Sequence, residues 1–210
     1  MKNVFLGEYI KQRRLDLGLT QEQLCDGICE PMTLSRLENG KQTPSRNRIN
    51  AILQRLGLPD DRYFALLSKN ELEMEALQTE IVACNVTEKV SEGFEKLAQF
   101  EELAEPDDQI ARQFILRSKV LLGRLDGRYT PEEQIDMLMQ AIRLTVPRFH
   151  LDEIERFLYS KDEIKIINQI GIAYSDDGQN KKAAEIYYQL LRYVRKHFKE
   201  TITSIGVLPL

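Results

Sequence analysis

The chain has 210 residues, of which 42% are hydrophobic and 30% charged, a composition that suits a folded globular protein rather than a disordered one. No apolar run approaches the ~18 residues needed to cross a bilayer. The N-terminal apolar stretch is too short, and too soon followed by charges, to be a signal peptide. We therefore expect a cytoplasmic protein that does not enter a membrane, with one large domain or two small ones.

The net charge of −4 is divided unevenly along the chain. Residues 1–69 carry 11 Lys and Arg against 8 Asp and Glu, which gives +3, whereas residues 70–210 carry 18 against 25, which gives −7. A basic N-terminal part joined to an acidic remainder fits a nucleic-acid-binding module attached to a module with another task.

The chain contains three cysteines: Cys25, Cys29 and Cys84. An odd number in a cytoplasmic protein argues against a disulfide framework. Cys25 and Cys29 would share a helix face only if their helix continued past Gly27. The two histidines, His150 and His197, lie far from both thiols in sequence. We predict that the cysteines pack as small buried hydrophobic residues, and we predict neither a metal site nor a cofactor.

Apolar residues recur at spacings of three and four along nearly the whole chain, and no alternating run is bounded by turn residues. This periodicity predicts an all-α protein. In the first helix, Leu6, Ile10 and Leu17 are expected to face inward. Five helices are predicted at the N-terminal end, over 5–17, 21–27, 31–38, 46–56 and 60–67.

Local signals mark where these helices begin and end. Thr20, followed three residues later by Gln23, has the spacing of a capping box. Pro31 suits a first helical turn, where its missing N–H has no consequence. Asn39-Gly40 should end the third helix, and Ser45 should cap the fourth.

Several residue types stand at fixed offsets, in the order Gly18-Leu19-Thr20-Gln21, Leu24, Leu34-Ser35-Arg36-Leu37-Glu38-Asn39-Gly40-Lys41 and Pro44-Ser45. On these residues, the first third of the chain resembles the lambda-repressor-like (XRE-type) helix-turn-helix superfamily. The resemblance implies a DNA-binding domain over 1–67, with Glu38 paired to Arg14 as a structural contact. The expected core of its helix-turn-helix is Leu24, Ile28, Leu34 and Leu37.

A recognition helix presents small or polar side chains to a major groove about 12 Å wide, and its N-terminal end points at the base edges. Glu30, Met32 and Thr33 are therefore expected nearest the bases, and Arg36 is expected to reach a guanine edge or a phosphate. The complete set of expected DNA contacts is Gln21, Glu30, Met32, Thr33, Ser35, Arg36, Lys41, Thr43, Ser45 and Arg13.

The other members of this set are expected on the DNA backbone. The resemblance implies that Gln21 clamps a phosphate from the start of the second helix. Lys41, Thr43 and Ser45 lie in the loop that should follow the backbone. Arg13 stands where the family usually has an apolar residue, and it either turns outward to a phosphate or covers the core with its stem.

The remaining part of the chain, 68–210, is predicted to be a stack of helical hairpins for dimerisation, ligand sensing or both. Its last hairpin resembles a tetratricopeptide repeat. Gly171 and Ala183 are small where two helices would cross closely, and Tyr174 and Tyr187 would fill the space beside them. The predicted hairpins are 70–84 with 87–104, 110–125 with 131–146, and 164–197.

The last ten residues, TITSIGVLPL, are apolar and lack the polar capping element that a repeat stack needs at its end. Either the chain is shortened or another subunit covers this end, and we expect a shortened chain.

A lambda-like domain followed by degenerate repeats resembles the peptide-pheromone-sensing regulators of the Rgg/PlcR (RNPP) type, as does the string LCDGICEPMTLSRLENGK. The resemblance implies a quorum-sensing homodimer on an inverted-repeat operator, controlled by a short secreted peptide. The first helix of each hairpin would line the peptide groove, where an amide can pair with a peptide backbone and an arginine with its carboxylate. The expected peptide contacts are Asn168, Lys165, Ile172, Ser175, Arg112 and Arg117.

Other functions stay open on the sequence alone. A ligand-independent repressor would use its helical body only for dimerisation or protein partners, and its groove would lack asparagines and pockets. An antitoxin is a further alternative, although antitoxins usually have shorter bodies. An enzyme is not expected, because the sequence has no nucleophile elbow, phosphate loop or metal-ligand cluster.

Overall fold

The computed structural model describes residues 6–58 and 69–197, and within these ranges the chain folds into helices joined by turns, with no strand. The predicted all-α fold is confirmed. We call residues 6–58 the head and residues 69–197 the body. The head contains α1 (Leu6–Asp16), α2 (Gln21–Cys25), α3 (Pro31–Glu38) and α4 (Arg46–Arg55). The body contains α5 (Lys69–Val86), α6 (Val90–Leu103), α7 (Gln109–Leu125), α8 (Pro131–Thr145), a short 3₁₀ helix (Leu151–Arg156), α9 (Lys161–Asp176) and α10 (Asn180–His197).

The helices of the head begin largely where the local signals placed them. The Thr20 Oγ1 accepts a 3.1 Å hydrogen bond from the Gln23 N–H, and the Gln23 Oε1 accepts a 2.8 Å bond from the Thr20 N–H, which is the predicted capping box. Pro31 is the first residue of α3. Ser45 precedes α4, but its side chain makes no capping bond, and its buried Oγ has no partner among the described residues.

The first and second helices of the head end earlier than predicted. The first helix ends at Asp16, so Leu17 lies in the turn and is 42% exposed; the prediction that it faces inward is wrong. The second helix ends at Cys25, because Asp26 leaves the helical conformation and Gly27 adopts a φ of +73°. The predicted helix over 60–67 and the C-terminal stretch over 201–210 lie outside the described residues.

One hydrophobic core holds the four helices of the head together. The predicted core leucines and isoleucine of the helix-turn-helix are all buried in it. Apolar residues of α4, spaced three or four apart, supply the other side, as an amphipathic helix should. The buried members are Ile10, Leu24, Cys25, Ile28, Leu34, Leu37, Ile49, Ile52, Leu53 and Leu56.

The body is built from the three predicted hairpins, α5 with α6, α7 with α8, and α9 with α10. Gly171 and Tyr187 meet as predicted, since a Cβ added at Gly171 would lie 2.6 Å from the Tyr187 ring. Tyr187 therefore packs directly on the α9 backbone. Ala183 and Tyr174 are buried beside this crossing.

The connection between α8 and α9 runs over 146–160 and contains the 3₁₀ helix. Phe149, Ile154 and Tyr159 from this connection are fully buried. The Tyr193 hydroxyl oxygen of α10 accepts a 2.9 Å hydrogen bond from the Tyr159 N–H, and the two rings lie edge to face at 4.9 Å. The connection thus forms part of the body core and fixes where α9 starts.

Candidate DNA interface and ligand groove

A charged cluster inside the head joins its first three helices. The Arg14 guanidinium holds the Glu38 carboxylate through two hydrogen bonds of 2.6 and 2.9 Å, and both side chains are buried. The pairing expected of these residues is confirmed. The Glu38 carboxylate also accepts a 2.7 Å bond from the Gln21 amide, and its hydrogen bond to Arg14 raises the pKa of that arginine. This cluster orients α2 and α3 against each other, as a helix-turn-helix requires.

The outer face of α3 is open to solvent. Met32 is 63% exposed, and Glu30 and Arg36 are also exposed, while Thr33 and Ser35 are half-buried. The exposed Glu30 side chain makes no cap bond at the start of α3. This face combines a carboxylate, a hydroxyl, a thioether and a guanidinium, groups that can meet base edges in a major groove.

The residues expected to contact phosphates differ in how accessible their side chains are. Lys41 and Thr43 are exposed in the loop after α3. The Ser45 hydroxyl is buried, so a phosphate contact at this position would have to come from the backbone. The Arg13 Nε donates a 3.3 Å bond to the Leu56 carbonyl, which anchors its stem against the end of α4.

Gln21 sits at the first position of α2 with its side chain already engaged. Its amide gives one N–H to Glu38, which leaves a second N–H on the same nitrogen for an outside acceptor. The backbone N–H groups at the start of a helix have no intrahelical acceptor, and they attract anions. The geometry is therefore compatible with the expected phosphate contact.

The head is fastened to the body by Arg55, at the last position of α4. One guanidinium nitrogen donates to the carbonyls of Leu24 and Asp26, at 3.1 and 2.7 Å. The other donates to the Thr145 carbonyl at 2.8 Å and to the Glu163 carboxylate at 3.0 Å. A single buried arginine thus holds the α2–α3 turn, the end of α8 and the start of α9 together.

Further hydrogen bonds surround this junction. The Thr145 hydroxyl donates to Glu163 and accepts from Gln113 of α7, both at 2.6 Å. The Gln54 side-chain oxygen accepts a 2.9 Å bond from the Lys161 N–H. A Cβ added at Gly27 would lie only 2.1 Å from the Thr145 carbonyl oxygen, so the head and body backbones touch there.

Sequence inspection missed this junction. Gln54 and Arg55 stand at the end of α4, where polar residues are usually solvated. The available signal was weak: a Gln-Arg pair lies between two core leucines, Leu53 and Leu56. No local pattern identifies partners that lie over 100 residues further along the chain.

A groove with a cavity of about 440 Å³ opens between the head and the first helices of the three hairpins. Val82, Phe114 and Ile166 give it apolar surface, and amide side chains surround them. Asn50 of α4 lines it too, with a buried Oδ1 that has no partner among the described residues. The full lining is Asn47, Asn50, Ala51, Gln54, Gln78, Thr79, Val82, Ile110, Gln113, Phe114, Arg117, Ser160, Asp162, Lys165 and Ile166.

Arg117 lies in this groove without an ion pair to any described residue. Its Nε donates a 3.2 Å bond to the Gln169 side-chain oxygen, and burial lowers the pKa of its guanidinium. Lys165, by contrast, pairs with Asp162 at 2.9 Å. Asp162 attracts the Arg117 guanidinium from within the same groove but is not at ion-pair distance, so an anionic group in the groove could still neutralise this half-buried charge.

Two of the six residues expected to contact a peptide, Lys165 and Arg117, line the cavity. The structure does not bring the other four to its lining. Arg112 is exposed. Successive residues of an α-helix are rotated by about 100°, so Arg112 points about 100° away from its neighbour Gln113, which lines the cavity. Asn168 and Ile172 are half-buried further along α9, and the Ser175 hydroxyl donates to the Asn180 side chain at 3.3 Å. On α9 the amide that meets Arg117 is Gln169, not Asn168.

The described residues contain neither a candidate metal site nor a helix that could span a membrane. No group of three or more His, Cys, Asp or Glu side chains there is placed to hold a metal ion. No helix among them has the length and apolar character that crossing a bilayer demands.

Residues 6–63 match the family model of the helix-turn-helix domain, which confirms the helix-turn-helix predicted for the head. The crystal structure of Bacillus thuringiensis PlcR in complex with the peptide PapR7 and DNA is similar to this chain, with 21% sequence identity and a TM-score of 0.49. The similarity covers 91% of this chain and 65% of that chain, so this chain spans less than two thirds of the PlcR length. No curated protein sequence gives a significant match.

Proposed function

We propose that this chain is a cytoplasmic, non-catalytic transcriptional regulator whose head binds duplex DNA and whose body binds a short peptide. One observation carries the DNA-binding part. The outer face of α3 stays open to solvent while the body packs on the α2–α3 turn and on the end of α4. The recognition surface is therefore accessible in the docked arrangement.

The mechanism on DNA follows from the groups at this face. The exposed Glu30 carboxylate can accept from a cytosine amino group, and Met32 and Thr33 can contact a thymine methyl. Arg36 can reach a guanine or a phosphate. A homodimer would place two such helices roughly 34 Å apart, in successive major grooves of an inverted-repeat operator. Phosphate contacts supply much of the affinity, so binding should weaken steeply with salt.

The groove supports the peptide-binding part of the proposal. An extended peptide exposes N–H and C=O groups that amides such as Gln78 and Asn50 can pair with, whatever its side chains are. Its C-terminal carboxylate can pair with Arg117, and its apolar side chains can pack on Val82 and Phe114. A ligand-independent repressor would have no use for such a groove, whose asparagines and cavity were the features expected of a peptide regulator.

The position of α4 suggests how the two activities are coupled. Asn50 and Gln54 belong to the head and line the groove, so a bound peptide would contact head and body at once. The peptide can shift the equilibrium between two arrangements of head and body only by the difference between its binding free energies for them.

The DNA-binding proposal can be tested by fluorescence anisotropy with duplex DNA from the region upstream of the gene, beside a shuffled duplex, at two salt concentrations. Preference for the native duplex, lost when Thr33 and Arg36 are both alanine, supports it. The Arg143→Ala variant, which changes an exposed arginine of the body, is the matched control. Equal affinity for both duplexes at both salts refutes it.

The peptide proposal needs a separate test. Synthetic peptides covering the short open reading frames beside the gene are labelled and titrated with the wild type and with an Arg117→Leu variant. Saturable binding that weakens in the variant supports the groove. If no peptide binds while the DNA experiment succeeds, the ligand-independent repressor is the better description.

A further inference from the structure

The α2–α3 turn holds two thiols side by side. Cys25 is the last residue of α2 and is 1% exposed, while Cys29 lies at the end of the turn and is half-buried. The Cys29 N–H donates a 3.1 Å bond to the Cys25 carbonyl, so a closed turn of five residues, non-helical at Asp26 and Gly27, brings the two residues together.

The two thiols are not equivalent. The Cys25 thiol donates a 3.9 Å hydrogen bond to the Glu22 carbonyl. The neighbouring Cys25 thiol, together with the positive charges of Arg48 and Arg55, lowers the pKa of Cys29. The neighbouring Cys29 sulfur raises the pKa of Cys25, as does burial. Cys29 is thus the accessible thiol with more thiolate character, and Cys25 is a protonated thiol held next to it.

We propose that Cys25 and Cys29 form a redox-active dithiol, which closes to an intramolecular disulfide when the protein meets a hydroperoxide. The Cys29 thiolate attacks one peroxide oxygen, the O–O bond breaks, and a sulfenic acid forms at Cys29, while hydroxide leaves and takes up the proton that the Cys29 thiol had released, giving water. The Cys25 sulfur then attacks the Cys29 sulfur, the S–S bond forms, and the sulfenic oxygen departs as water with the Cys25 proton. Two thiols lose two electrons in total, and hydrogen peroxide gives two water molecules.

This turn also carries the contacts that position the head. The Leu24 and Asp26 carbonyls accept from Arg55, and Gly27 packs on the Thr145 carbonyl. A disulfide fixes the two sulfur atoms at about 2.05 Å with a narrow range of dihedral angles, so it constrains the backbone of the turn that makes these contacts. Because α3 starts two residues after Cys29, this constraint acts on the start of the recognition helix and on its position relative to α2 and to the body.

The third cysteine serves as an internal control. Cys84 is buried on α5, and it interacts with no other thiol among the described residues. It should stay reduced under conditions that oxidise the pair. Trypsin leaves Cys25 and Cys29 together in the peptide 15–36 and places Cys84 in the peptide 70–89, so the two sites are measured separately.

The first experiment treats the reduced full chain with increasing hydrogen peroxide, blocks free thiols with iodoacetamide, and analyses the tryptic peptides by mass spectrometry. Peptide 15–36 should lose two hydrogen atoms and escape alkylation, and dithiothreitol should reverse the change. Cys84 should remain alkylated. Persistent alkylation of both thiols, or irreversible acids without a disulfide, would overturn the proposal.

Single variants test the assigned roles. In Cys25→Ala, which replaces a small buried thiol by a small apolar residue, Cys29 should be trapped as a sulfenic acid by dimedone. In Cys29→Ala, Cys25 should stay reduced, because it is buried. Circular dichroism of each variant checks the fold. Trapping at Cys25 instead of Cys29 would reverse the roles and contradict the assignment.

The consequence for DNA rests on the proposed function and is measured separately. Oxidation should weaken operator binding about tenfold, the cost of one base contact, and dithiothreitol should restore it. The Cys25→Ala/Cys29→Ala double variant should bind equally with and without peroxide. A disulfide that forms without changing affinity would refute the switch, whereas a reduced protein that binds no DNA would refute the proposed function and leave the disulfide measurement intact.

Discussion

The Arg55 guanidinium of the head lies 3.0 Å from the Glu163 carboxylate of the body, and each side chain is only 2% exposed. Carbonyls of both parts accept the other hydrogen bonds of this arginine, although its buried Nε has no partner among the described residues. Such a pair adds little net stability, because desolvation opposes the attraction. It does fix how head and body dock, since any other arrangement would leave two buried charges unpaired.

Removing one partner of this pair should be costly. Glu163→Gln is expected to lower the free energy of unfolding by about 3–5 kcal/mol, because it leaves the Arg55 charge buried without a counter-ion. Urea denaturation measures this value. Asp176→Asn is the matched control, since it breaks the exposed Arg124–Asp176 pair and should cost at most about 1 kcal/mol. Similar losses in both variants would contradict the role given to Arg55.

Two glycines with nearly equal φ allow the cost of backbone strain to be measured separately from the cost of disturbing the contact between head and body. Gly18 has a φ of +66° and open space around it, so Gly18→Ala should cost only about 1–2 kcal/mol for the left-handed conformation. Gly27→Ala carries the same strain at +73°, and its Cβ would also collide with the Thr145 carbonyl oxygen. Its loss, measured by urea denaturation, should be clearly larger. Equal losses would mean that the head–body contact at Gly27 adds nothing.

Arg36→Ala should weaken DNA binding without affecting stability. The side chain is exposed, and its one hydrogen bond to a described residue is a 3.4 Å bond to Gln42, so the thermal midpoint should not change. The binding free energy should become less favourable by about 1–3 kcal/mol if Arg36 contacts a base. Titration at several salt concentrations distinguishes a base from a phosphate, because loss of a phosphate contact reduces the salt slope by about one unit. Unchanged affinity at every salt would remove Arg36 from the interface.

Replacing Arg117 by leucine should weaken peptide binding without lowering the stability of the protein. Its guanidinium is half-buried and has no ion pair with the described residues, so Arg117→Leu should leave the free energy of unfolding equal or higher. Any peptide that binds the groove through its carboxylate should bind the variant more weakly. A large loss of stability in urea denaturation would indicate a structural role for Arg117 instead.

Local features were predictable from the sequence. The capping box at Thr20 and Gln23 depends on residues three apart, and the Gly171–Tyr187 crossing follows from small residues at repeat spacing. The Arg14–Glu38 pair was accessible only through a family resemblance. The exposure of Leu17 was missed because helix periodicity does not reveal where the last turn of α1 stops.

The ligand groove was only partly predictable. Lys165 and Arg117 were expected there and line it, whereas Arg112 was placed on the wrong face of α7. A sequence shows which residues lie on a helix, but the face that meets the groove depends on how the neighbouring hairpins rotate against it. Asn50 was not considered, because it belongs to the head, and nothing local indicates that α4 forms one wall.

The sequence by itself determined the helices, the capping box at Thr20 and Gln23, and the helix-turn-helix, because these depend on side chains within a few residues of one another. Only the tertiary structure decided that Arg55 meets Glu163, 108 residues away, and that the head thereby closes one side of the groove. A buried charge needs a partner, but many carboxylates are available along the chain. Which one it meets is settled by the packing of the whole molecule.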